Sequence, residues 1–254
     1  MSVFDEKVEP MPRRTMTLFF VVDTSGSMKG ERIASVNTAV REVIPYIEDI
    51  SSTNADAQIK IAALEFSSGT EWMYSSPMES ESFQWRDLEA GGLTSLGEAC
   101  KELNAKLSKT HGFMAEATGS FAPAIILMSD GEPTDNYKHS LDKLKENNWF
   151  KAAIKVAIAI GDDANQSVLS EFTGNSEAVL TVHDKEQLKK IIRFVSVTAS
   201  QVASSHASVG KDAPETKQEE MVEKIADTIS NDNDLQGVDL GTDVTPGADS
   251  WGAW

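Results

Sequence analysis

Residues 18–27, LFFVVDTSGS, decide the fold. The first five are apolar without interruption, as is typical of a strand buried on both faces of a parallel sheet. The last five place a carboxylate, Asp23, and two hydroxyls, Ser25 and Ser27, at alternate positions. Oxygen ligands of this kind suit hard divalent cations such as Mg²⁺ or Mn²⁺. The segment therefore predicts a buried strand that ends at a candidate metal site.

Apolar runs of the same kind recur along the chain and predict further strands. The predicted strands cover residues 16–22, 59–66, 124–128, 154–160 and, more briefly, 178–182, with 71–74 as a candidate edge strand. Uninterrupted runs of this length suit a sheet whose two faces are both covered by helices.

Between these runs, apolar residues recur at spacings of three and four, which places them on one face of a helix. Helices are predicted around residues 33–47, 96–107, 141–144 and 188–195. Asp184 is well placed to cap the last one, with Gln187 at the reciprocal position. Because strand and helix alternate, the predicted fold class is α/β: a doubly wound, mostly parallel central sheet flanked by helices, Rossmann-like in architecture.

Composition favours one folded domain followed by an acidic tail. The chain has 254 residues, of which 40% are hydrophobic, enough for one full core. Beyond about residue 204, Ser, Asp, Glu, Gly and Pro dominate, and such a segment buries too little apolar surface to fold alone. We predict an N-terminal extension over 1–14, a domain over 15–203 and a mostly disordered tail over 204–254, with a short helix at 215–229.

The charge and the cysteine content exclude several classes of function. A net charge of -17 disfavours nucleic acid as a partner, because phosphate binding needs a basic face. Cys100 is the single cysteine, so an intrachain disulfide and a zinc site of several thiolates are both excluded, and a buried, inert thiol is expected. No apolar run has the length of a signal peptide or a membrane span. The expected location is the cytoplasm.

Two further segments supply oxygen ligands where a metal site would need them. Residues 91–94, GGLT, precede the second helix and add the Thr94 hydroxyl, while residues 129–135, SDGEPTD, follow the strand at 124–128 and add Asp130. Ligands in doubly wound sheets bind beyond the carboxyl ends of the strands, so the three loops are expected to meet at one edge. Alone, the DTSGS segment could equally be an ordinary turn between strand and helix.

This combination resembles the von Willebrand factor A family, whose metal-ion-dependent adhesion site joins an Asp-x-Ser-x-Ser loop to a separate Thr and a separate Asp. The five positions are matched by Asp23, Ser25, Ser27, Thr94 and Asp130. The resemblance implies one bound Mg²⁺, with Mn²⁺ or Ca²⁺ as alternatives. It also implies a partner protein whose Asp or Glu side chain completes the metal's coordination.

Within that family, the chain is most similar to a bacterial TerY-like branch associated with tellurite resistance. Residues 21–28, VVDTSGSM, and 129–135, SDGEPTD, carry the likeness. It implies a role in a stress response, with a protein kinase and a PP2C-type phosphatase as partners. Some relatives carry a cysteine-rich zinc module, which a chain with one cysteine cannot form.

These residues are compatible with three functions. The leading hypothesis is a non-enzymatic interaction module. The rival is a Mg²⁺-dependent phosphohydrolase with Asp23 as its nucleophile, but the general acid expected two residues later is replaced by Ser25, and no phosphate-binding loop or nucleophile elbow occurs. In a third hypothesis, a tail carboxylate such as Asp249 occupies the metal as a tethered ligand.

The remaining polar features receive simpler interpretations. Trp251 and Trp254 at the end of the tail are interpreted either as a docking peptide for a partner or as an end without function. Asp162 and Asp163 are interpreted as loop residues rather than a second metal site. The four histidines are scattered, and no two of them have the spacing of metal ligands.

Overall fold

A mostly parallel sheet of eight strands forms the centre of the computed structural model, which describes residues 12–116, 119–130, 132–205, 216–231 and 238–241. The strands are β1 (Arg14–Asp23), β2 (Ala57–Phe66), β3 (Thr70–Trp72), β4 (Met78–Glu79), β5 (Ala124–Ser129), β6 (Ile154–Ile160), β7 (Val179–Val182) and β8 (Asp239–Leu240). The order across the sheet is β3-β2-β1-β5-β6-β7-β8, and β4 pairs with β2. The five strands β2, β1, β5, β6 and β7 run parallel, while the short strands at the edges are antiparallel.

Helices cover both faces of this sheet. They are α1 (Glu31–Thr53), α2 (Leu96–Lys106), α3 (Tyr137–Glu146), α4 (Asn148–Ala152), α5 (Gln166–Thr173), α6 (Lys185–Ser204) and α7 (Lys217–Asn231). One face packs against α1, α6 and α7, and the other against α2 to α5. This arrangement confirms the doubly wound α/β fold class. Within the described residues, no helix is both long and apolar enough to cross a membrane.

The core consists of two apolar layers, one on each face of the sheet. Strand β1 contributes to both, because alternate residues of a strand point to opposite faces. Phe20 and Val22 pack towards α1 and α6, while Phe19 and Val21 pack towards α2. None of these four side chains has exposed surface. Burial on both faces is the physical reason for the uninterrupted apolar run in the sequence.

The strand order reverses at β1, and this places the candidate site. From β1 the chain crosses to β2 on one side, and it later returns to β5 on the other side. Val22 of β1 lies opposite Met128 of β5 in a parallel register, so the two strands end at the same level. The loops that follow them therefore emerge side by side, as expected for a ligand site in a doubly wound sheet.

Helix α6 begins where the sequence predicts. The Asp184 carboxylate accepts hydrogen bonds from the backbone N–H groups of Glu186 and Gln187, both at 2.9 Å. The Gln187 side chain accepts in turn from the backbone N–H of His183 at 2.8 Å, one residue earlier than in the usual reciprocal cap. The short elements α4, α5, β4 and β8 have no counterpart in the sequence-based prediction.

A helix and a strand from the acidic segment pack on the domain. In α7, Met221 and Ile225 have no exposed surface and belong to the same apolar cluster as α1 and α6. Gln218 forms two hydrogen bonds with the backbone of Lys155, accepting from its N–H at 2.7 Å and donating to its carbonyl at 2.9 Å. The domain limits at 15–203 stay a prediction, and Asp249, Trp251 and Trp254 lie outside the described residues.

Cys100 lies on the buried face of α2, and its side chain has no exposed surface. Burial raises the pKa of its thiol to about 12. Because the thiolate is the reactive form of cysteine, this position agrees with the inert thiol expected from the sequence.

Candidate metal centre

Asp23 is the last residue of β1, and each of its two carboxylate oxygens accepts a hydrogen bond. One oxygen, Oδ1, accepts a hydrogen bond from the backbone N–H of Ser25 at 2.8 Å. The other, Oδ2, accepts from the hydroxyl of Ser129, the last residue of β5, at 2.6 Å. Asp23 has no exposed surface, and this burial raises the pKa of its carboxyl in spite of both bonds. A buried carboxylate of this kind gains from a cation close by.

Ser25, Ser27 and Asp130 form a continuous hydrogen-bonded chain beside Asp23. The two serine hydroxyl oxygens are 3.0 Å apart, and the Ser27 hydroxyl donates to Oδ1 of Asp130 at 2.8 Å. Ser25 and Asp130 are buried, whereas Ser27 is exposed. Four of the five residues singled out from the sequence are therefore brought together at one edge of the sheet.

Thr94 reaches the same edge through its loop. The N–H of Gly91 donates to the carbonyl of Thr24 at 2.7 Å, and the N–H of Gly26 donates to the carbonyl of Gly92 at 3.0 Å, so the loops around Asp23 and Thr94 are directly bonded. Among the described residues, the Thr94 hydroxyl makes no hydrogen bond to the other four candidates. The backbone thus joins the loop that carries Thr94 to the loop that carries Asp23.

A second pair of bonds ties Thr94 to the loop that carries Asp130. The N–H of Thr94 donates to the hydroxyl of Thr134 at 3.1 Å, and the N–H of Thr134 donates to the carbonyl of Thr94 at 2.8 Å. One residue later, the Asp135 carboxylate accepts from the N–H of Gly97 at 3.1 Å, in the first turn of α2. All three loops are therefore fixed to one another.

Arg32, the second residue of α1, is a functional neighbour that sequence reasoning missed. Its guanidinium contacts Oδ2 of Asp130 through Nη1 and lies 2.7 Å from Oδ1 of Asp163 through Nη2. The hydrogen bond from Arg32 lowers the pKa of Asp163. A signal was present in the sequence, because the dipole of a helix disfavours a cation in its first turn. Carboxylates close to an arginine in the first turn of a helix offset this unfavourable interaction, as Asp130 and Asp163 do here.

His183 is a second neighbour that the sequence did not reveal. It follows β7, and its ring lies between two carboxylates: Nδ1 contacts Asp162, and Nε2 is 3.1 Å from Oδ2 of Asp239. The hydrogen bond with Asp162, supported by that with Asp239, raises the pKa of the His183 imidazole. His183 and Arg32 both line a cavity of about 580 Å³.

The chemistry of the donor set fits a hard divalent cation. The cluster offers two carboxylates and three hydroxyls, all oxygen, which is the donor type that Mg²⁺, Mn²⁺ and Ca²⁺ prefer. Within the described residues, no group of three or more His, Cys, Asp or Glu side chains is arranged to hold a metal. A metal at this edge would therefore depend on the hydroxyls and on water as well as on the carboxylates.

Comparison with known proteins identifies the family of this fold. The sequence model of the von Willebrand factor type A domain matches residues 17–194. Among solved structures, proximal thread matrix protein 1 from the mussel byssus, determined with zinc in its metal-ion-dependent adhesion site, is 18% identical with a TM-score of 0.55. A von Willebrand factor type A protein from Catenulispora acidiphila is 16% identical with a TM-score of 0.54. The ArnB paralog VWA2 from Sulfolobus acidocaldarius is 20% identical with a TM-score of 0.51.

These alignments cover most of this chain but less than half of each solved chain. The covered shares are 74%, 74% and 71% of this chain, against 48%, 43% and 44% of the mussel, Catenulispora and Sulfolobus chains. No curated protein matches the sequence. At such low identity the solved structures show a common fold, whereas the family match extends over well over half of the chain. The chain therefore belongs to the von Willebrand factor type A domain family.

Proposed function

We propose that this chain is a non-enzymatic binding module that grips a carboxylate of a partner protein through one divalent cation. Asp23, Ser25, Ser27, Thr94 and Asp130 would hold the cation. The observation that carries the proposal is the hydrogen-bonded chain from Ser25 through Ser27 to Asp130, because it gathers oxygen atoms from two separate strands at one point. Domains of this family are typically interaction modules rather than enzymes.

The coordination sphere leaves a place for a carboxylate of a partner. The two carboxylates formally balance the charge of a dication, and the three hydroxyls are neutral ligands, so the five side chains do not by themselves fill a sphere of about six oxygens. Mg²⁺ takes about six oxygen ligands and commonly retains water, so a carboxylate from a partner can replace a water molecule. Zinc in the adhesion site of the mussel protein supports a divalent ion here. We propose Mg²⁺, with Mn²⁺ or Ca²⁺ as alternatives.

The surface beside the cluster offers an apolar contact. Leu93, next to Thr94, is 57% exposed. Its backbone N–H donates to the Ser68 hydroxyl at 3.0 Å, so the loop holds the side chain in solvent. Among the described residues, the other exposed large apolar side chain is Tyr46, whose ring is covered by the Arg193 guanidinium at 3.8 Å from its centroid. We infer that the partner places an apolar group on Leu93.

The phosphohydrolase hypothesis finds less support in the geometry. A nucleophilic carboxylate needs one oxygen free to attack, yet both oxygens of Asp23 accept hydrogen bonds and the residue is fully buried. Ser25 occupies the place where the general acid would stand and hydrogen-bonds to Ser27. The phosphohydrolase hypothesis therefore lacks the acid that it expects at position 25.

The finer assignment rests on resemblance. We propose a role in a bacterial tellurite or stress response, in the cytoplasm, with a protein kinase and a PP2C-type phosphatase as partners, because residues 21–28 and 129–135 resemble the TerY-like branch. Trp251 and Trp254 remain proposed docking residues outside the described part of the chain.

Capture of partners from an extract of the native host tests the proposal. The whole chain serves as bait, once in Mg²⁺ and once in excess chelator, beside Asp23→Asn and the control Asp227→Asn, an exposed acid on α7. We expect at least one protein that the wild type and the control hold in Mg²⁺, and that chelator and Asp23→Asn both release. The same set of proteins on every bait, with and without chelator, would refute it.

A further inference from the structure

We propose that Arg32 is a built-in counter-cation that competes with the divalent metal for Asp130 and so limits the metal affinity of the site. The inference rests on the proposed function, because it assumes that Asp130 is a metal ligand. Arg32 is not one of the five proposed ligands, and removal of its charge is expected to raise the affinity of the site for Mg²⁺.

The two oxygens of Asp130 have different partners. Oδ1 accepts from the hydroxyl of Ser27 at 2.8 Å, on the side of the proposed metal, whereas Oδ2 contacts Nη1 of Arg32. The Asp130 side chain has no exposed surface, so water does not stabilise its charge. Because an unpaired buried carboxylate is unfavourable, Arg32 supplies the neutralising charge when the metal is absent.

Arg32 also contacts a second carboxylate, that of Asp163. Nη2 lies 2.7 Å from Oδ1 of Asp163, whose side chain is 65% exposed. The guanidinium also borders the cavity of about 580 Å³ between α1 and the ends of β6 and β7, which leaves it room to withdraw from Asp130 while it keeps Asp163.

The backbone near this cavity is shaped for the guanidinium. Gly161 has a φ of +93°, and a Cβ atom at this residue would lie 2.8 Å from Nη2 of Arg32 and 2.9 Å from Oδ1 of Asp163. A side chain here would strain the backbone, and its Cβ atom would displace the ends of the Arg32 and Asp163 side chains. Glycine at position 161 keeps the place open for Arg32 beside Asp163.

Electrostatics sets the sign of the effect. A guanidinium in contact with Asp130 repels a dication that binds the same carboxylate, since like charges a few ångströms apart interact strongly away from bulk water. The positive end of the α1 dipole, in whose first turn Arg32 lies, acts in the same direction. Metal binding is therefore weaker by the free energy that displacement of the guanidinium from Asp130 costs. Removal of the charge of Arg32 should strengthen metal binding.

Calorimetric titration with Mg²⁺ tests the inference on the full chain. We expect Arg32→Gln to bind Mg²⁺ about tenfold more tightly than the wild type, and Arg32→Lys, which keeps the charge, to stay close to the wild type. The matched control is Arg41→Gln, because Arg41 lies on the same helix in an exposed pair with Asp87. Circular dichroism checks that each variant is folded.

Asp163 gives a second arm with the opposite sign. Asp163→Asn should weaken Mg²⁺ binding, because Arg32 then keeps Asp130 as its remaining described carboxylate partner. If Asp163 acts through Arg32, the same change should have almost no effect in the Arg32→Gln background. If Arg32→Gln fails to fold, Arg32→Lys replaces it as the background, and Asp163→Asn should then still weaken Mg²⁺ binding, since Asp163 is exposed and the charge at position 32 is kept.

The outcomes separate this inference from the proposed function. Absence of Mg²⁺ binding by the wild type would remove both. Binding by the wild type and by Arg41→Gln, with Arg32→Gln no tighter or with Asp163→Asn no weaker, would overturn the role of Arg32 and leave the metal site intact.

Discussion

The hydroxyl of Ser27 lies 2.8 Å from Oδ1 of Asp130, although 103 residues separate them in the chain. Ser27 follows β1 and Asp130 follows β5, and these strands are parallel neighbours at the point where the strand order reverses. The contact is thus a consequence of sheet topology and not of local sequence. A substitution in either loop is therefore expected to disturb the hydrogen bonds that link Ser25, Ser27 and Asp130.

Substitution of Leu93 should separate partner binding from metal binding. Leu93→Ser removes the exposed apolar group beside Thr94 and leaves every proposed ligand in place. Burial of a leucine side chain contributes about 1.5–3 kcal/mol, so we expect the affinity for a metal-dependent partner to fall about tenfold or more. Mg²⁺ affinity, measured by calorimetry, should not change.

Tyr46→Ser is the control for Leu93→Ser, since Tyr46, on α1, is the other large apolar residue that is exposed within the described ranges. It should leave both affinities unchanged. Equal partner capture by the wild type and Leu93→Ser would show that Leu93 makes no contact with the partner.

Helix α7 should contribute to the stability of the domain. Ile225 has no exposed surface and packs in the cluster of α1 and α6, so Ile225→Ala should lower the free energy of unfolding by about 2–4 kcal/mol through lost burial and a residual cavity. Chemical denaturation measures the change. Glu223→Ala, on the exposed side of the same helix, should have little effect. Equal stability of the two variants would mean that α7 is not packed on the domain in solution.

His183 should make stability depend on pH. Its pKa is raised by the hydrogen bond with Asp162 and by that with Asp239, so protonated His183 stabilises the folded chain. This contribution is complete below the pKa of the unfolded chain, about 6.5, and disappears as the pH rises through the higher folded value. Because a third of the side chain is exposed, we expect only about 0.5 kcal/mol.

Urea denaturation of wild type and His183→Gln at about pH 5.5 and about pH 8.5 measures this effect. The wild type should be the more stable of the two at the lower pH, and the difference should shrink at the higher pH. A difference that grows with pH would contradict the assigned direction of the pKa shift.

The sequence predicts the centre of the fold well because that centre is buried on both faces. The strands around Phe20, Ile61, Ile126 and Ile158 are apolar at most positions, and such runs are visible without any alignment. Two residues of the cluster are also visible in the sequence, because Asp23 ends β1 and Asp130 directly follows β5. A polar residue at the end of a buried apolar run is expected at the carboxyl end of the strand, where the sheet meets the loops.

The rest of the site depends on contacts that no local pattern contains. Arg32 and Asp163 are 131 residues apart, and His183 and Asp239 are 56 apart. The place of Arg32 in the first turn of α1 favours a carboxylate nearby, but the sequence does not identify which one. The strand β8 has only two residues, too few for a period-two pattern. The placement of Thr94 likewise follows from the bond between Gly91 of its loop and the Thr24 carbonyl, and from its own two bonds with Thr134, rather than from its side chain.

Calorimetric titration of the wild type with Mg²⁺, beside Asp23→Asn, Asp130→Asn and the control Asp227→Asn, tests the central claim most directly. We predict one Mg²⁺ per chain for the wild type and for Asp227→Asn, and no detectable binding for the other two variants, with circular dichroism spectra unchanged. A wild type that takes up no divalent cation, or an Asp23→Asn variant that binds it as tightly as the wild type, would contradict the assignment of this cluster as a metal centre.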